Sequence, residues 1–210
     1  MVLAATRREA SQHRAASATH RSAPIVYDFW WLAHAAPSGE PLLQPVVMGL
    51  GLAAVLIGEA GIHRLIFAGA TGVHSVARGQ IADPLLRWLT GQIAAERHRY
   101  PVPVWLEALA PVLYDRVAAR LVIAGEAAEI RHGPPWRHAA AFPPTDPERA
   151  SWPATRLSAI ARTGPAAMPA PDLLLAGLAL ATDLRAHALP GVSGATLDRL
   201  RNWIPAAAPV

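Results

Sequence analysis

The chain has 210 residues, of which 52% are hydrophobic, 16% are charged and none is cysteine. This much apolar material can bury a large core, so the composition excludes a wholly disordered protein. The absence of cysteine excludes disulfide bonds, thiolate metal sites and a cysteine nucleophile. A chain of this length fits one folded domain with a tail.

The net charge of +4 is concentrated at the N-terminus. All 19 basic residues are arginines, and residues 1–24 hold four of them against one acid, Glu9, which gives this segment a charge of +3. Because the segment is rich in Ala, Ser and His and contains no apolar core, we expect a basic disordered tail and not a signal peptide. Residues 25–210 are expected to form a single domain.

The start of this domain predicts two helices. Residues 25–34 (IVYDFWWLAH) predict a short amphipathic helix, and a Pro-Ser-Gly turn follows at 37–39. Residues 42–61 predict a buried central helix. Its uninterrupted apolar run, 46–57, is shorter than the roughly 20 residues that cross a bilayer, so we expect a core helix and no membrane span.

The rest of the domain predicts a hairpin, further helices and an irregular loop. A glycine-containing turn between 65–67 and 73–76 predicts a small β-hairpin. Residues 126–145 hold four prolines and no helical period, which predicts a loop or an irregular hairpin. The predicted helices are 83–97, one that begins at Pro111 and ends at Gly125, one that begins at Pro147 and is bent or restarted at Trp152-Pro153, an apolar helix over 172–187, and a short final helix over 196–204. The predicted fold is therefore all-α: a mainly helical single domain around a buried central helix, with one or two small β-hairpins.

Several segments taken together resemble the Golgi phosphoprotein 3 family, in particular its branch in high-G+C bacteria. The segments that carry the resemblance are 27–34 (YDFWWLAH), 49–59 (GLGLAAVLIGE), 64–66 (RLI), 116–125 (RVAARLVIAG), 151–157 (SWPATRL) and 172–184 (DLLLAGLALATDL). They follow the family's order, although His63 stands where the family usually has glycine. The resemblance implies a curved helical domain that docks on membranes. Eukaryotic members recognise phosphatidylinositol 4-phosphate and act as trafficking adaptors.

The resemblance also implies a lipid-headgroup pocket. In the family this pocket uses a tryptophan and an arginine around the buried helix and two arginines one turn apart on the long helix. Carried over, these positions are Leu43, Leu52, Pro111 and Tyr114. None of them matches, because leucine cannot form a charge-assisted bond to phosphate and proline lacks a backbone donor. We therefore expect the mismatch to alter the headgroup selectivity more than the fold or the general attachment to membranes.

The family's second hairpin, which is apolar at its tip, is the other implied membrane element. The corresponding segment here contains a Gly-Pro-Pro turn flanked by Arg131, His132, Trp136, Arg137 and His138. The tryptophan ring suits the headgroup layer, and the arginines can meet lipid phosphates. The alternative is an ordinary surface loop whose tryptophan folds back onto the domain.

Other chemistry has little support in the sequence. Residues 49–54 (GLGLAA) match a dinucleotide fingerprint, but residues 60–82 contain no acid to hold a ribose, so we interpret these glycines as sites of close helix packing. The nine histidines show no metal-ligand spacing, and no catalytic constellation, cofactor motif or nucleic-acid reader is recognisable.

We therefore predict a non-enzymatic, cytoplasmic adaptor or regulator. It would associate peripherally with the inner face of the membrane and bind a phosphoinositide or another anionic lipid. The alternative is a protein–protein interaction scaffold of the same fold that does not bind lipid. The sequence leaves open a protein partner and a homo-oligomer.

Overall fold

The structure, a computed structural model, describes residues 24–132, 139–164 and 168–207. Within these ranges the chain forms eight α-helices and three two-stranded antiparallel sheets. The helices are α1 (Ile25–Leu32), α2 (Pro45–Ile62), α3 (Pro84–Ala95), α4 (Val102–Ile123), α5 (Pro147–Thr163), α6 (Ala170–Ala181), α7 (Arg185–Ala188) and α8 (Gly194–Ala207). The paired strands are β1 (His34–Ala35) with β2 (Glu40–Pro41), β3 (Ile66–Gly69) with β4 (Gly72–Ser75), and β5 (Ile130–His132) with β6 (Ala139–Ala141). The predicted mainly helical class is confirmed, and β1–β2 is a small sheet that the sequence did not predict.

The central helix of the fold is α2, as predicted. It begins with proline at its first position, where the missing N–H costs nothing. By length and composition alone it is apolar enough to cross a membrane, but 56% of it is buried inside the domain, where it packs against α1, α3, α4 and α6. These contacts make it the core helix of the domain.

Glycines let other helices approach α2 closely. A Cβ atom on Gly49 would lie 2.4 Å from the carbonyl oxygen of Ala110, and one on Gly51 would lie 2.5 Å from the ring of Phe29. The interpretation of these glycines as packing residues is confirmed. A dinucleotide site would need a strand immediately before the glycines, and here they lie inside α2.

The long helix α4 corrects the prediction that a new helix begins at Pro111. The chain is helical without interruption over 22 residues, and Pro111 lies inside. Proline removes one backbone hydrogen bond and crowds the preceding turn, which normally ends a helix. Here the close packing of the adjacent Ala110 against α2 outweighs that local preference. In the same way, α5 continues through Pro153 without a restart.

The apolar helix predicted over 172–187 is two helices, α6 and α7. They are separated at Asp183, which adopts a left-handed backbone conformation with a φ of 58°. Aspartate tolerates the left-handed region better than most residues do. The sequence has no glycine at this position that would have predicted the end of a helix.

A half-buried ion pair and a buried carboxylate hold α1 in place. The guanidinium of Arg156 on α5 lies 2.8 Å from Asp28 on α1 and 2.8 Å from Asp172 on α6. Glu59 on α2 accepts the backbone N–H groups of Ile25 and Val26, at 2.9 and 3.2 Å, and so satisfies donors that the start of α1 leaves free. Burial raises the pKa of Glu59 to about 7.

Candidate functional site

An aromatic cluster lies beside the start of α2. Trp30, which is completely buried, stacks on His34 with ring centroids 4.1 Å apart. Tyr114 from α4 lies 4.9 Å from the Trp30 ring, and Phe142, just after β6, meets it edge-on at 5.5 Å. We call these four residues the aromatic corner. It joins α1, α4 and the base of the β5–β6 hairpin.

The polar atoms of His34 and Tyr114 bond to each other and to the backbone, whereas the buried Nε1 of Trp30 has no hydrogen-bond partner among the described residues. His34 Nδ1 lies 2.7 Å from the Trp30 carbonyl oxygen, so this nitrogen carries the proton and donates it. His34 Nε2 can then accept the Tyr114 hydroxyl at 3.3 Å. Burial lowers the pKa of His34 to about 4 and raises that of Tyr114 to about 12. Both groups are therefore neutral at physiological pH, and the corner offers no cation to a phosphate.

The four family headgroup positions differ in burial. Leu52 is fully buried in α2, with 0% of its surface exposed. Leu43, just before α2, is half-buried against the core. Pro111 is exposed on α4, and Tyr114, one turn further on, belongs to the aromatic corner. Three of these side chains are apolar and the fourth is a neutral tyrosine, so the four positions supply no cation to a phosphate.

The second hairpin, β5–β6, is only partly described. Arg131 is exposed, and its Nε lies 2.6 Å from Glu129 Oε1, so its charge is paired. His132 lies in β5, opposite Ala139, and its side chain is outside the described part. Trp136, Arg137 and His138 lie outside the described residues, and the prediction that they contact membrane stays a prediction.

The base of this hairpin is fixed to the aromatic corner. Phe142 N–H donates to the carbonyl oxygen of Gly39 at 2.9 Å, and Ala127 pairs with Pro144 in an isolated bridge. Gly39 has a φ of 70°, and a Cβ there would lie 2.1 Å from the Phe142 backbone. Only glycine fits this contact, so the β1–β2 turn and the second hairpin are packed as one unit.

A cavity of about 140 Å³ lies between the end of α4 and the start of α5. Its polar lining is already engaged: Arg149 Nη2 contacts Glu126 Oε1 at 2.9 Å, and the Thr145 hydroxyl donates to the Gly125 carbonyl at 2.7 Å. With its arginine paired and two acids in its wall, Glu126 and Asp146, the cavity is poorly suited to a phosphate. Across the described ranges, no group of three His, Cys, Asp or Glu residues is placed to hold a metal ion.

Sequence reasoning missed the aromatic corner as a unit. The four-residue spacing of Trp30 and His34 was the available signal, because residues at this spacing share one side of a helix. Nothing in the sequence pairs His34 with Tyr114, which lies 80 residues further along the chain.

The fold and this site define a mainly helical domain whose uncharged corner meets the base of a hairpin. The family model of Golgi phosphoprotein 3 (GPP34) matches residues 25–209. The chain therefore belongs to the Golgi phosphoprotein 3 family, a family of non-catalytic, peripheral membrane adaptors. A search of curated proteins finds no match. The bacterial branch stays a prediction.

Proposed function

We propose that this protein is a peripheral membrane adaptor that binds anionic lipid at the cytoplasmic face of the membrane. The observation that carries the proposal is the family match over residues 25–209. No part of the proposal requires catalysis. The adaptor role follows from the family, and the charge pattern of this chain adds the expectation of an anionic surface.

Two segments of the sequence support attachment to an anionic membrane, one by its charge and the other by its tryptophan. The N-terminal tail carries Arg7, Arg8, Arg14 and Arg21, and each basic residue near an anionic surface contributes roughly 1 kcal/mol. The turn of the second hairpin carries Trp136, which suits the headgroup layer.

The proposal does not include a preference for phosphatidylinositol 4-phosphate. A headgroup pocket needs fixed cations, and the corresponding positions here are a buried leucine at 52 and a proline at 111 that has neither charge nor N–H. Selection among anionic lipids should therefore depend on total surface charge.

Co-sedimentation with vesicles tests the tail. The unaltered chain should bind vesicles containing phosphatidylglycerol and not neutral ones, and binding should fall with salt because exposed charges are screened within about 8–10 Å. Replacing the four tail arginines with glutamine should weaken binding at least tenfold. Equal binding to neutral and anionic vesicles would contradict attachment by charge.

The second hairpin is tested by the combined variant Trp136→Ala, Arg131→Ala and Arg137→Ala, with Arg185→Ala and Arg201→Ala as the charge-matched control. The hairpin variant should lose several-fold in affinity for anionic vesicles and the control should not. Unchanged binding would remove this hairpin from the proposal. No binding by the unaltered chain to any vesicle would instead favour the protein-scaffold alternative.

A further inference from the structure

Cationic and aromatic side chains surround the first hairpin, β3–β4. This surface is formed by the hairpin and the segment that precedes α4. We define the β3–β4 surface by Arg64, Phe67, Arg78, Arg97, Arg99 and Tyr100, which are all exposed. None of them was singled out by the sequence analysis as a site residue.

The hairpin presents an apolar ring outward. Phe67 pairs with His74 across the two strands, so both lie on the same face of the hairpin. Their ring centroids are 5.4 Å apart, and 53% of the Phe67 surface is exposed. The other face supplies Ile66 and Val73 to the core. A phenylalanine on the outward face adds nothing to the packing of that core.

The segment with the arginines is fixed to the hairpin by backbone contacts. Val73 N–H donates to the carbonyl oxygen of Tyr100 at 2.8 Å. Gly72 has a φ of 97°, and a Cβ there would lie 2.5 Å from the carbonyl oxygen of Arg99. Because only glycine permits this approach, Arg99 and Tyr100 form one continuous surface with the hairpin, and Arg97 lies two residues before them in the chain.

The arginines of this surface are unpaired. Most arginines in the described ranges contact a carboxylate, a carbonyl, a hydroxyl or an aromatic ring. Those without such a contact are Arg64, Arg78, Arg97, Arg99 and Arg162, and all but Arg162 belong to the β3–β4 surface. Residues 60–82 contain no acid, and Glu96 is the acid in residues 96–104. The surface is thus strongly cationic.

We propose that the β3–β4 surface is a further contact between the folded domain and an anionic lipid bilayer. Unpaired arginines can reach lipid phosphates, while exposed aromatic rings favour the headgroup layer. The match to a family of peripheral membrane adaptors favours a bilayer over an acidic protein as the partner of this surface. The inference rests on the proposed function and adds a contact surface to it.

The β3–β4 surface is separate from the aromatic corner. The β3–β4 hairpin follows the C-terminal end of α2 and contacts Arg99 and Tyr100, which precede α4. The C-terminal end of α2 therefore lies near the N-terminal end of α4, and the two helices run in opposite directions. From Gly49, beside Ala110, to the end of α2 is about 20 Å along the helix, at 1.5 Å per residue. A change at one end can therefore be made without disturbing the other.

The first test compares two double variants of the full chain, Arg97→Gln with Arg99→Gln and the control Arg162→Gln with Arg201→Gln. Both remove two exposed positive charges, so the net charge is matched. Since each arginine at an anionic surface contributes roughly fivefold in affinity, the first variant should bind phosphatidylglycerol vesicles roughly 25-fold more weakly. The control should change binding less than threefold. Equal losses in the two variants would overturn the inference.

The second test uses the absence of cysteine from the chain. Phe67→Cys and Arg162→Cys, each labelled with an environment-sensitive fluorophore, report whether the labelled position enters an apolar phase. The label at position 67 should brighten and shift to the blue with anionic vesicles, and the label at 162 should not. If the unaltered chain sediments with vesicles but neither test responds, the inference fails and the proposed function stands. If it sediments with none, both fail, and an acidic protein partner becomes the occupant to test.

Discussion

The two ends of the α2–α4 helix pair carry aromatic side chains but differ in charge. At one end the aromatic corner is buried, its histidine is neutral, and the described arginine of the adjoining hairpin, Arg131, is paired with Glu129 at 2.6 Å. At the other end Phe67 and Tyr100 are exposed, and the arginines around them have no partner among the described residues. The aromatic corner therefore serves packing, and the β3–β4 surface presents unpaired charges to solvent.

This difference teaches that arginine number alone does not locate a cationic surface. In the sequence, Arg131 and Arg137 around the second hairpin look as basic as the arginines around the first. The structure separates a paired arginine from unpaired ones, and an exposed ion pair attracts an anionic partner far less than a free charge does.

The largest expected effect comes from placing a charge at the corner end. Leu52→Arg would put an unpaired guanidinium into a fully buried position, which should lower the free energy of unfolding by roughly 3–5 kcal/mol. Pro111→Arg is the matched control, because it makes the same family residue at an exposed helical position and restores a backbone N–H. Urea unfolding should find the control at least as stable as the parent. If the Leu52→Arg protein is stable and gains affinity for phosphatidylinositol 4-phosphate, this end of the helix pair can form a headgroup pocket and the account is contradicted.

A somewhat smaller effect is expected between the two ends, where Gly49 of α2 packs against Ala110 of α4. Gly49→Val would force its side chain against the Ala110 backbone, and overpacking of this kind typically costs about 1–3 kcal/mol. Gly61→Ala, in the same helix but with open space around the added carbon, should leave stability unchanged or slightly raised. Thermal unfolding followed by circular dichroism distinguishes them. Equal melting temperatures for the two variants would mean that this contact is looser than the structure indicates.

The smallest effects concern the pH dependence of folding, where His34 and Glu59 should act in opposite directions. His34 has a folded pKa of about 4, below its usual value of 6.5, so its contribution to stability is present above pH 6.5 and is lost as pH falls towards 4. Glu59 has a folded pKa of about 7, above its usual 4.5, so its contribution is present below pH 4.5 and is lost as pH rises through 7. In the parent protein the two groups change the free energy of unfolding in opposite directions with pH, so their effects partly cancel between pH 4.5 and 6.5.

Single variants should expose the effect of each group. In Glu59→Gln the free energy of unfolding should rise from pH 4.5 to 6.5, and in His34→Gln it should fall over the same interval, each by about 1–2 kcal/mol. Urea unfolding at four pH values between 4.5 and 7.5 measures both. If both variants keep the parent's dependence of stability on pH, the pKa of neither group differs between the folded and unfolded states.

Much of the fold could be predicted from local signals. The apolar run after Pro45, the Asp83-Pro84 helix start and the glycine turn of the first hairpin each predicted an element close to its observed bounds. The breaks and continuations that depend on tertiary contacts could not be predicted. Pro111 lies within a helix because its neighbour packs on α2, and Asp183 breaks one without a glycine.

The site was less predictable, because it depends on pairing between distant residues. Sequence order carried a family arginine position onto Leu52, and the structure shows that this side chain is completely buried within the central helix. Likewise, Arg99 reaches the first hairpin through a backbone contact with Gly72 that no local pattern indicates.

The central claim is that this protein binds anionic lipid through exposed charge and not through a headgroup pocket. The most direct test is co-sedimentation of the full chain with vesicles containing phosphatidylglycerol or phosphatidylinositol 4-phosphate, matched for total negative charge, at two salt concentrations. We expect affinities within about twofold of each other and a parallel loss at the higher salt for both lipids. Binding confined to phosphatidylinositol 4-phosphate, or binding to neither lipid, would contradict the claim.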